Sequence, residues 1–589
     1  GAGGAAAGGG GGGARGEAGS VGPFSRHMGW DVGGDAPEAA GAAVEGLPER
    51  VGRAQVLGRA GVPGVQAAHW ASEGLPVKTR LADRRRGTSA EQEAFLKLLT
   101  GYLDILHTDR PLKASKGAPD EHMEAYLIHC LNHVLLSSDA IRMGNAAAEG
   151  SAGGLSTSAA GLGTDDLSAG KDQGFTRPKV LLVYPFRKFA LEAVLHIADL
   201  LVSGEGNARM RLEKVKGGKA FLEQFGAGEE EEEEDGGVGG RGSKRAAGSR
   251  KPPDFQELFR GDVDDHFKFG IKVTKGAISL FSDFYSSDIV VTSPLGLVTL
   301  ANDRDRADPL DFLSSVEIAV VDRADVLQMQ NWEHVIELWG HLNRIPSKQH
   351  GVDIMRVRQW YLAGQARQYR QTVALSAFPT AELNAFFSQR CDNFEGLVKV
   401  VAPPRGVLAA LEQQPKQLYE RVAVGETADA EDRRFAHFME KVVPRLEGAQ
   451  TSGLVLFVRS YFDYVRMRKA LSDRLISFVA LSEYAERAEA DRTRTQFMKG
   501  KAKVLLYSER AHFYHRYRVR GAKDVIFYSL PDHPEYFSEL VNMVEVAPES
   551  RGSVTVLFHK YDSLQLGRVV GVRKAKSMLQ APGDSFMIA

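Results

Sequence analysis

The residues best placed to do chemistry are Asp322, Arg323, Ala324 and Asp325, a string that closes the apolar run Val316–Val321. A carboxylate at the end of a buried strand can hold Mg²⁺ beside a phosphate. Arg323 follows it, and a guanidinium accepts no proton at neutral pH, so this neighbour cannot act as a base. Such a site needs a phosphate cradle of the form G-x-x-x-x-G-K-[ST], whose glycines admit backbone N–H donors and whose lysine neutralises charge. No such string occurs. Gly217-Gly218-Lys219-Ala220 comes nearest, but lacks the first glycine, the hydroxyl residue and a preceding strand. Without phosphates to bridge, Asp322 is at best a weak cation ligand. His129 and His133, four apart on a predicted helix, have zinc-ligand spacing, or else line a partly buried helix face. The stretch Arg510 to Arg520 mixes four arginines with Phe513, Tyr514 and Tyr517. Those residue types pair phosphates and stack bases, or form a solvated cationic loop, or pair with acidic residues of another domain.

The elements that must position these residues are legible as short apolar runs. They are Val180–Tyr184, Asp288–Thr292, Val316–Val321, Gln371–Leu375, Leu454–Val458, Val504–Tyr507, Asp524–Tyr528 and Val554–Phe558. Near-continuous Val/Leu/Ile runs mark strands buried on both faces, as in parallel sheets covered by helices. The runs fall into two groups about a polar, Pro-containing stretch at 402–435, which predicts two tandem doubly wound α/β domains, 89–401 and 436–589. Apolar residues at helical spacing from Phe95 to Leu106 predict a helix there, and a second helix runs from Met123 to Met143. Residues 145–172 read as a loop.

Hydrophobic residues make up 43% and charged residues 25%, as in globular domains, and the formal net charge of −1 favours no partner by itself. Charge is uneven, however, with 22 Lys and Arg against 15 Asp and Glu from 452 to 589. Two cysteines, Cys130 and Cys391, exclude a disulfide framework or a Cys-rich zinc module. The chain opens on Gly1 rather than Met, and its Gly/Ala-rich start lacks the basic-then-apolar layout of a signal peptide. No apolar run approaches a membrane span, so no membrane partner is expected. Residues 1–88 and an insertion at about 203–253 are expected to be disordered. The insertion holds the acidic run Glu229–Glu234 and a basic run from Arg241 to Lys251, read either as a solvated loop or as a basic tail for RNA or nuclear import.

The order of the strand ends is more telling than any one of them. Pro185-Phe186-Arg187-Lys188-Phe189-Ala190, Ser293-Pro294-Leu295-Gly296, Asp322-Arg323-Ala324-Asp325 and Ser376-Ala377-Phe378 occupy, in sequence, slots that resemble the first-domain motifs of DEAD-box helicases. Longer strings give a closer likeness: FSDFYSSDIVVTSPLGL (281–297), DFLSSVEIAVVDRADVLQMQNWEHV (311–335), HGVDIMRVRQWYLAGQARQYRQT (350–372) and LPDHPEYFSELVNM (530–543) resemble the digestive organ expansion factor family. That resemblance implies RecA-like domains and a nucleolar component of the small-subunit processome. It further implies pre-ribosomal RNA, small nucleolar RNA and assembly proteins as partners, with no cofactor and no small-molecule substrate. The helicase slot for the phosphate-loop helix here reads Ala125 to Leu131, and the slot for the arginine fingers reads Ser538 to Met543, without arginine. Loss of an arginine finger alone costs about 10³–10⁵ in rate. The expected function is therefore a non-catalytic scaffold. Its RNA-facing surface is expected to be Arg187 and Arg459 at strand ends, together with Arg510, Tyr514, Arg516, Tyr517 and Arg518. The rivals are a divergent RNA-dependent ATPase and a protein-interaction platform without RNA affinity.

Overall fold

The computed structural model describes residues 23–29, 39–43, 53–59, 77–86, 89–110, 120–152, 170–226, 251–274, 276–303, 308–448, 452–545 and 552–588. Ten strands form the first sheet: β1 (Ala39–Ala43), β2 (Arg53–Arg59), β3 (Asp104–His107), β4 (Val180–Val183), β5 (Lys268–Val273), β6 (Ile278–Ser282), β7 (Ile289–Thr292), β8 (Ile318–Val321), β9 (Gln371–Leu375) and β10 (Leu397–Val401). Their order is β1-β2-β10-β3-β9-β8-β4-β7-β5-β6. The six from β10 to β7 run parallel, and antiparallel strands extend both edges. Seven strands form the second sheet: β11 (Lys416–Arg421), β12 (Leu454–Val458), β13 (Phe478–Leu481), β14 (Val504–Ser508), β15 (Asp524–Phe527), β16 (Ser553–Phe558) and β17 (Ser585–Ile588). Their order is β13-β14-β12-β15-β16-β11-β17, parallel except for β17. The chain is thus an α/β protein with two mostly parallel sheets, as its apolar runs predict.

The two-faced burial is visible residue by residue. Val180 and Leu182 of β4 enter one core while Leu181 and Val183 enter the other. In β12, Val455 and Phe457 face one core, and Leu456 and Val458 the opposite one. A strand sandwiched this way has no polar face, which is why its sequence is a continuous apolar run.

Several expectations are corrected. The helix expected through Leu106 stops at Thr100; Tyr102 turns with φ 59°, and Asp104–His107 is a buried strand beside β9 and β10. Gly101, at the helix C-cap, was the signal. The following helix, Glu121–Ala152, runs into the segment read as a loop. Within 402–435, read as a linker, β11 already belongs to the second sheet and Ala430–His437 is helical. Its sequence, Lys416 to Arg421, has only Leu418 and Tyr419 as apolar residues, which hid it from a search for continuous runs. Within 203–253, helices Ala208–Glu213 and Gly218–Phe225 are ordered, and Phe221 and Phe225 are buried. Aromatic rings at that spacing bury enough apolar surface to fold. The acidic run and most of the basic run lie outside the described residues.

The first 88 residues also contribute structure. Helix Pro23–Gly29 inserts His27 and Met28 into the first core. The His27 ring stacks between Tyr102 and Phe394 at 4.6 and 4.9 Å, and its Nε2 lies 2.9 Å from the Tyr369 carbonyl. Strands β1 and β2 extend the sheet edge beyond β10. The rest of 1–76 lies outside the described residues.

This docking makes a prediction. His27→Ala removes a fully buried ring and leaves the Tyr369 carbonyl without its partner, so denaturant unfolding should show a loss of about 2–4 kcal/mol. Removal of residues 1–30 should cost at least as much; an unchanged midpoint in both proteins would mean the helix does not dock.

Candidate functional site at the strand ends

Strand β3 leads at its carboxyl end to Arg110. The Arg110 backbone N–H donates to the Ser376 carbonyl at 3.0 Å, fixing this residue beside the end of β9. Its guanidinium then spans two carboxylates. Nε and Nη2 donate to Asp322 Oδ1 and Oδ2, both at 3.0 Å; Nη1 and Nη2 donate to Asp120 Oδ1 and Oδ2, both at 2.7 Å. Arg323 approaches Asp120 at 3.5 Å. Tyr126 donates to Asp322 Oδ2 at 2.9 Å and lies 3.0 Å from the Tyr184 hydroxyl. All four charged side chains are at most 3% exposed.

The cluster balances two carboxylates with two guanidiniums in a site closed to water. Burial alone would raise the Asp322 and Asp120 pKa values, but Arg110, with Arg323, outweighs it and holds both below the usual carboxylate range. Both Asp322 oxygens already accept hydrogen bonds. A cation there would have to displace a bidentate guanidinium, so the arrangement does not fit the Mg²⁺ role that the sequence allowed. Arg323 adopts φ 60° at the start of helix Ala324–Met329, and its cation lies 5.3 Å over the Phe189 ring. Ala324 packs in the core, and Asp325 accepts the Ala377 N–H at 3.0 Å, tying the ends of β8 and β9 together. Ser376 closes its own turn by donating to the Phe378 carbonyl. The motif positions therefore act on one another.

His129 and His133 are core residues. His129 Nε2 meets Gln371 Oε1 at 2.7 Å; His133 meets Tyr102 and Glu317 at 2.9 and 2.8 Å. Burial, with His133 beside it, pushes His129 down to about 3, so it stays neutral at physiological pH.

The expected RNA-facing arginines are mostly engaged within the fold. Arg187 pairs with Asp262 and Asp264, Arg459 with Asp532, and Arg510 with Glu483. Arg516 is buried and pairs with Asp254 and Glu539. Tyr514 donates to the Met329 carbonyl at 3.3 Å. Tyr517, half-buried, stacks on His515 at 4.9 Å beneath Arg494; Arg518 is exposed. Arg516 and Tyr514 join the two units.

That junction is extensive. Phe513 and Tyr536 of the second unit belong to the first unit's core. Helix Pro253–Phe259, from the first unit, packs Phe259 against Phe513 at 5.4 Å. Lys251 donates to the carbonyls of His515 and Arg516, capping helix Glu509–His515 at its negative end. Arg568 donates to the Pro379 carbonyl and covers Phe378. Between the units lies a cleft of about 860 Å³, whose walls include Thr108, Asp109, Asp325, Phe378, Arg516 and Arg568. Arg110, Asp120 and the contacts of helix 253–259 were missed in the sequence because β3 was read as helix and 253 as the end of a loop.

Comparison with known proteins adds lineage to this geometry. A family model described as "UTP25, NTP hydrolase-like domain" matches residues 102–398, and "Utp25, C-terminal domain" matches 407–588. Protein NUCLEOLAR FACTOR 1 of Arabidopsis thaliana is 37% identical over 85% of this chain and 65% of its own length. The U3 small nucleolar RNA-associated protein 25 homolog of Homo sapiens is 36% identical over 84% and 62%. The chain thus spans less than two thirds of the length of these relatives. Among solved structures, S. cerevisiae Dbp5 bound to RNA and ADP BeF3 is 13% identical, covering 85% of this chain and 92% of that one, with a TM-score of 0.27.

Two outcomes test the geometry. Arg110→Met strands two buried carboxylates on one remaining cation, so it should cost about 3–5 kcal/mol in denaturant unfolding, partly regained by adding Asp322→Asn. For the junction, calorimetry should give one unfolding transition in the native chain. Paired Phe259→Ala and Phe513→Ala changes should split it into two; a single unchanged transition would show that the shared core does not couple the units.

Proposed function

Given that the chain belongs to the UTP25 family, we propose that it is a non-catalytic, helicase-like component of nucleolar pre-ribosomal RNA processing and small-subunit assembly. It binds RNA and assembly proteins as a scaffold. The relatives' names, nucleolar factor and U3 small nucleolar RNA-associated protein, support the nucleolar location and an association with small nucleolar ribonucleoprotein. The observation that carries the non-catalytic reading is Arg110. Its guanidinium fills the seat at the end of β3 and saturates Asp322, the one motif carboxylate able to hold a metal–phosphate pair. Arg323 cannot serve as a base, and Asp120, within ion-pair distance of both guanidiniums, takes part in the same cluster. The shared core of the two units supports the scaffold reading, because buried aromatic contacts hold them together.

The test is ATP turnover and RNA binding by one preparation of the protein. Turnover is expected at background, with and without pre-ribosomal RNA, and RNA is expected to bind. RNA-stimulated turnover that Asp322→Ala abolishes would establish the divergent-ATPase reading instead. Arg323→Glu should confer no turnover and should lower stability, because Asp120 loses a cation and the buried cluster gains an anion.

A further inference from the structure

Most of the chain's aromatic rings are packed, but a group in the second unit is not. β12 ends at Val458, and Ser460 caps the next helix, Tyr461–Asp473, by accepting the Phe462 N–H at 3.2 Å. That cap sets Tyr461 and Phe462 on the first turn, with Val465 one turn on. Phe462 is 87% exposed, and Tyr484, just beyond β13, is 67% exposed. The Tyr461 ring meets Tyr484 at 5.5 Å and 80°, so the two strand ends share one aromatic face. Single exposed apolar residues are ordinary, whereas neighbouring exposed rings at strand carboxyl ends are not.

Charge accompanies the rings. Arg468 and Lys469 fall seven residues after Tyr461 and Phe462, on the same side of the helix, and both are exposed. Arg487, also exposed, follows Tyr484 by three. No carboxylate of the described residues pairs with any of these three. Some acidic neighbours are withdrawn or paired: Asp463 and Glu483 are turned inward, Asp432 pairs with Arg466 and Asp491 with Arg494, while Asp473, Glu486 and Glu489 are exposed within four residues of these cations in sequence.

We propose that this face binds single-stranded RNA, with unpaired bases stacking on Phe462 and Tyr484 while Arg468, Lys469 and Arg487 contact phosphates. The proposal rests on the reading that the protein binds RNA, and it moves the contact from the Arg510–Arg520 stretch to the ends of β12 and β13. Exposed rings beside unengaged cations are the composition of a platform for single strands, whose bases supply flat apolar faces and whose backbone supplies one negative charge per nucleotide.

The experiment titrates the full chain with a labelled oligouridylate and with an abasic strand of equal length, at several salt concentrations. The native protein should prefer the strand with bases. Phe462→Ala with Tyr484→Ala should weaken oligouridylate binding about tenfold per ring, abolish that preference, and leave the salt slope unchanged. Arg468→Gln with Lys469→Gln should keep the preference and reduce the log–log salt slope by about 0.7 per cation. These side chains are exposed, so unfolding midpoints should not move. If the native protein binds oligouridylate and the aromatic variants bind it equally well, the face is not the RNA site and meets a protein or solvent. If the native protein binds neither strand, the RNA-binding reading falls and takes this site with it.

Discussion

The Arg110 guanidinium, held between Asp120 and Asp322, links the centre of the first unit. Asp120 precedes helix Glu121–Ala152, Asp322 ends β8, and Arg110 itself follows β3 while its backbone touches the end of β9. Three strand ends and a long helix therefore meet at one ion cluster. A buried pair of this kind is poor evidence of net stability, because desolvation opposes the attraction. It is strong evidence of specificity, because removing any member leaves a charge buried without its partner.

The same cluster shows how strand ends can be satisfied from within the fold. In an open α/β sheet the carboxyl ends of central strands are where backbone and side chains converge on a ligand. Here the convergence is internal. Asp322 serves Arg110 and Tyr126, and Asp325 serves the Ala377 N–H. The ends are satisfied by the protein's own groups, and these contacts fasten the sheet. The junction of the two units continues this pattern, with Lys251, Phe259 and Arg568 occupying positions from which a mobile cleft would have to be released.

The inner groups are satisfied within the fold, and the outer rim differs from them. The arginines nearest the strand ends, Arg187, Arg459, Arg510 and Arg516, face carboxylates of the fold. Exposed rings and unengaged cations lie one layer further out, on the helix after β12 and the turn after β13. A sequence reading that ranks arginines by local density finds the first group, whereas exposure identifies the second.

The sequence by itself determined the class of fold. Strands such as Val180–Val183 and Leu454–Val458 are buried on both faces, and a parallel sheet covered by helices demands unbroken apolar runs, which are visible without coordinates. It also shows that no G-x-x-x-x-G-K-[ST] string occurs and that Arg323, which accepts no proton, follows Asp322, since both follow from residue identity. Strands β11, Lys416–Arg421, and β17, Ser585–Ile588 at the sheet edge, were not legible, because their apolar runs are too short to stand out as buried strands. Strand β3 was hidden by the helix before it, whose periodicity runs on through Leu103 and Leu106. Only the tertiary structure decided which charges neutralise each other. Arg110 and Asp322 are 212 residues apart, and Asp254 and Arg516 are 262 apart. Ion pairing depends on distance in space and on shared burial, and neither is written in the local order of residues.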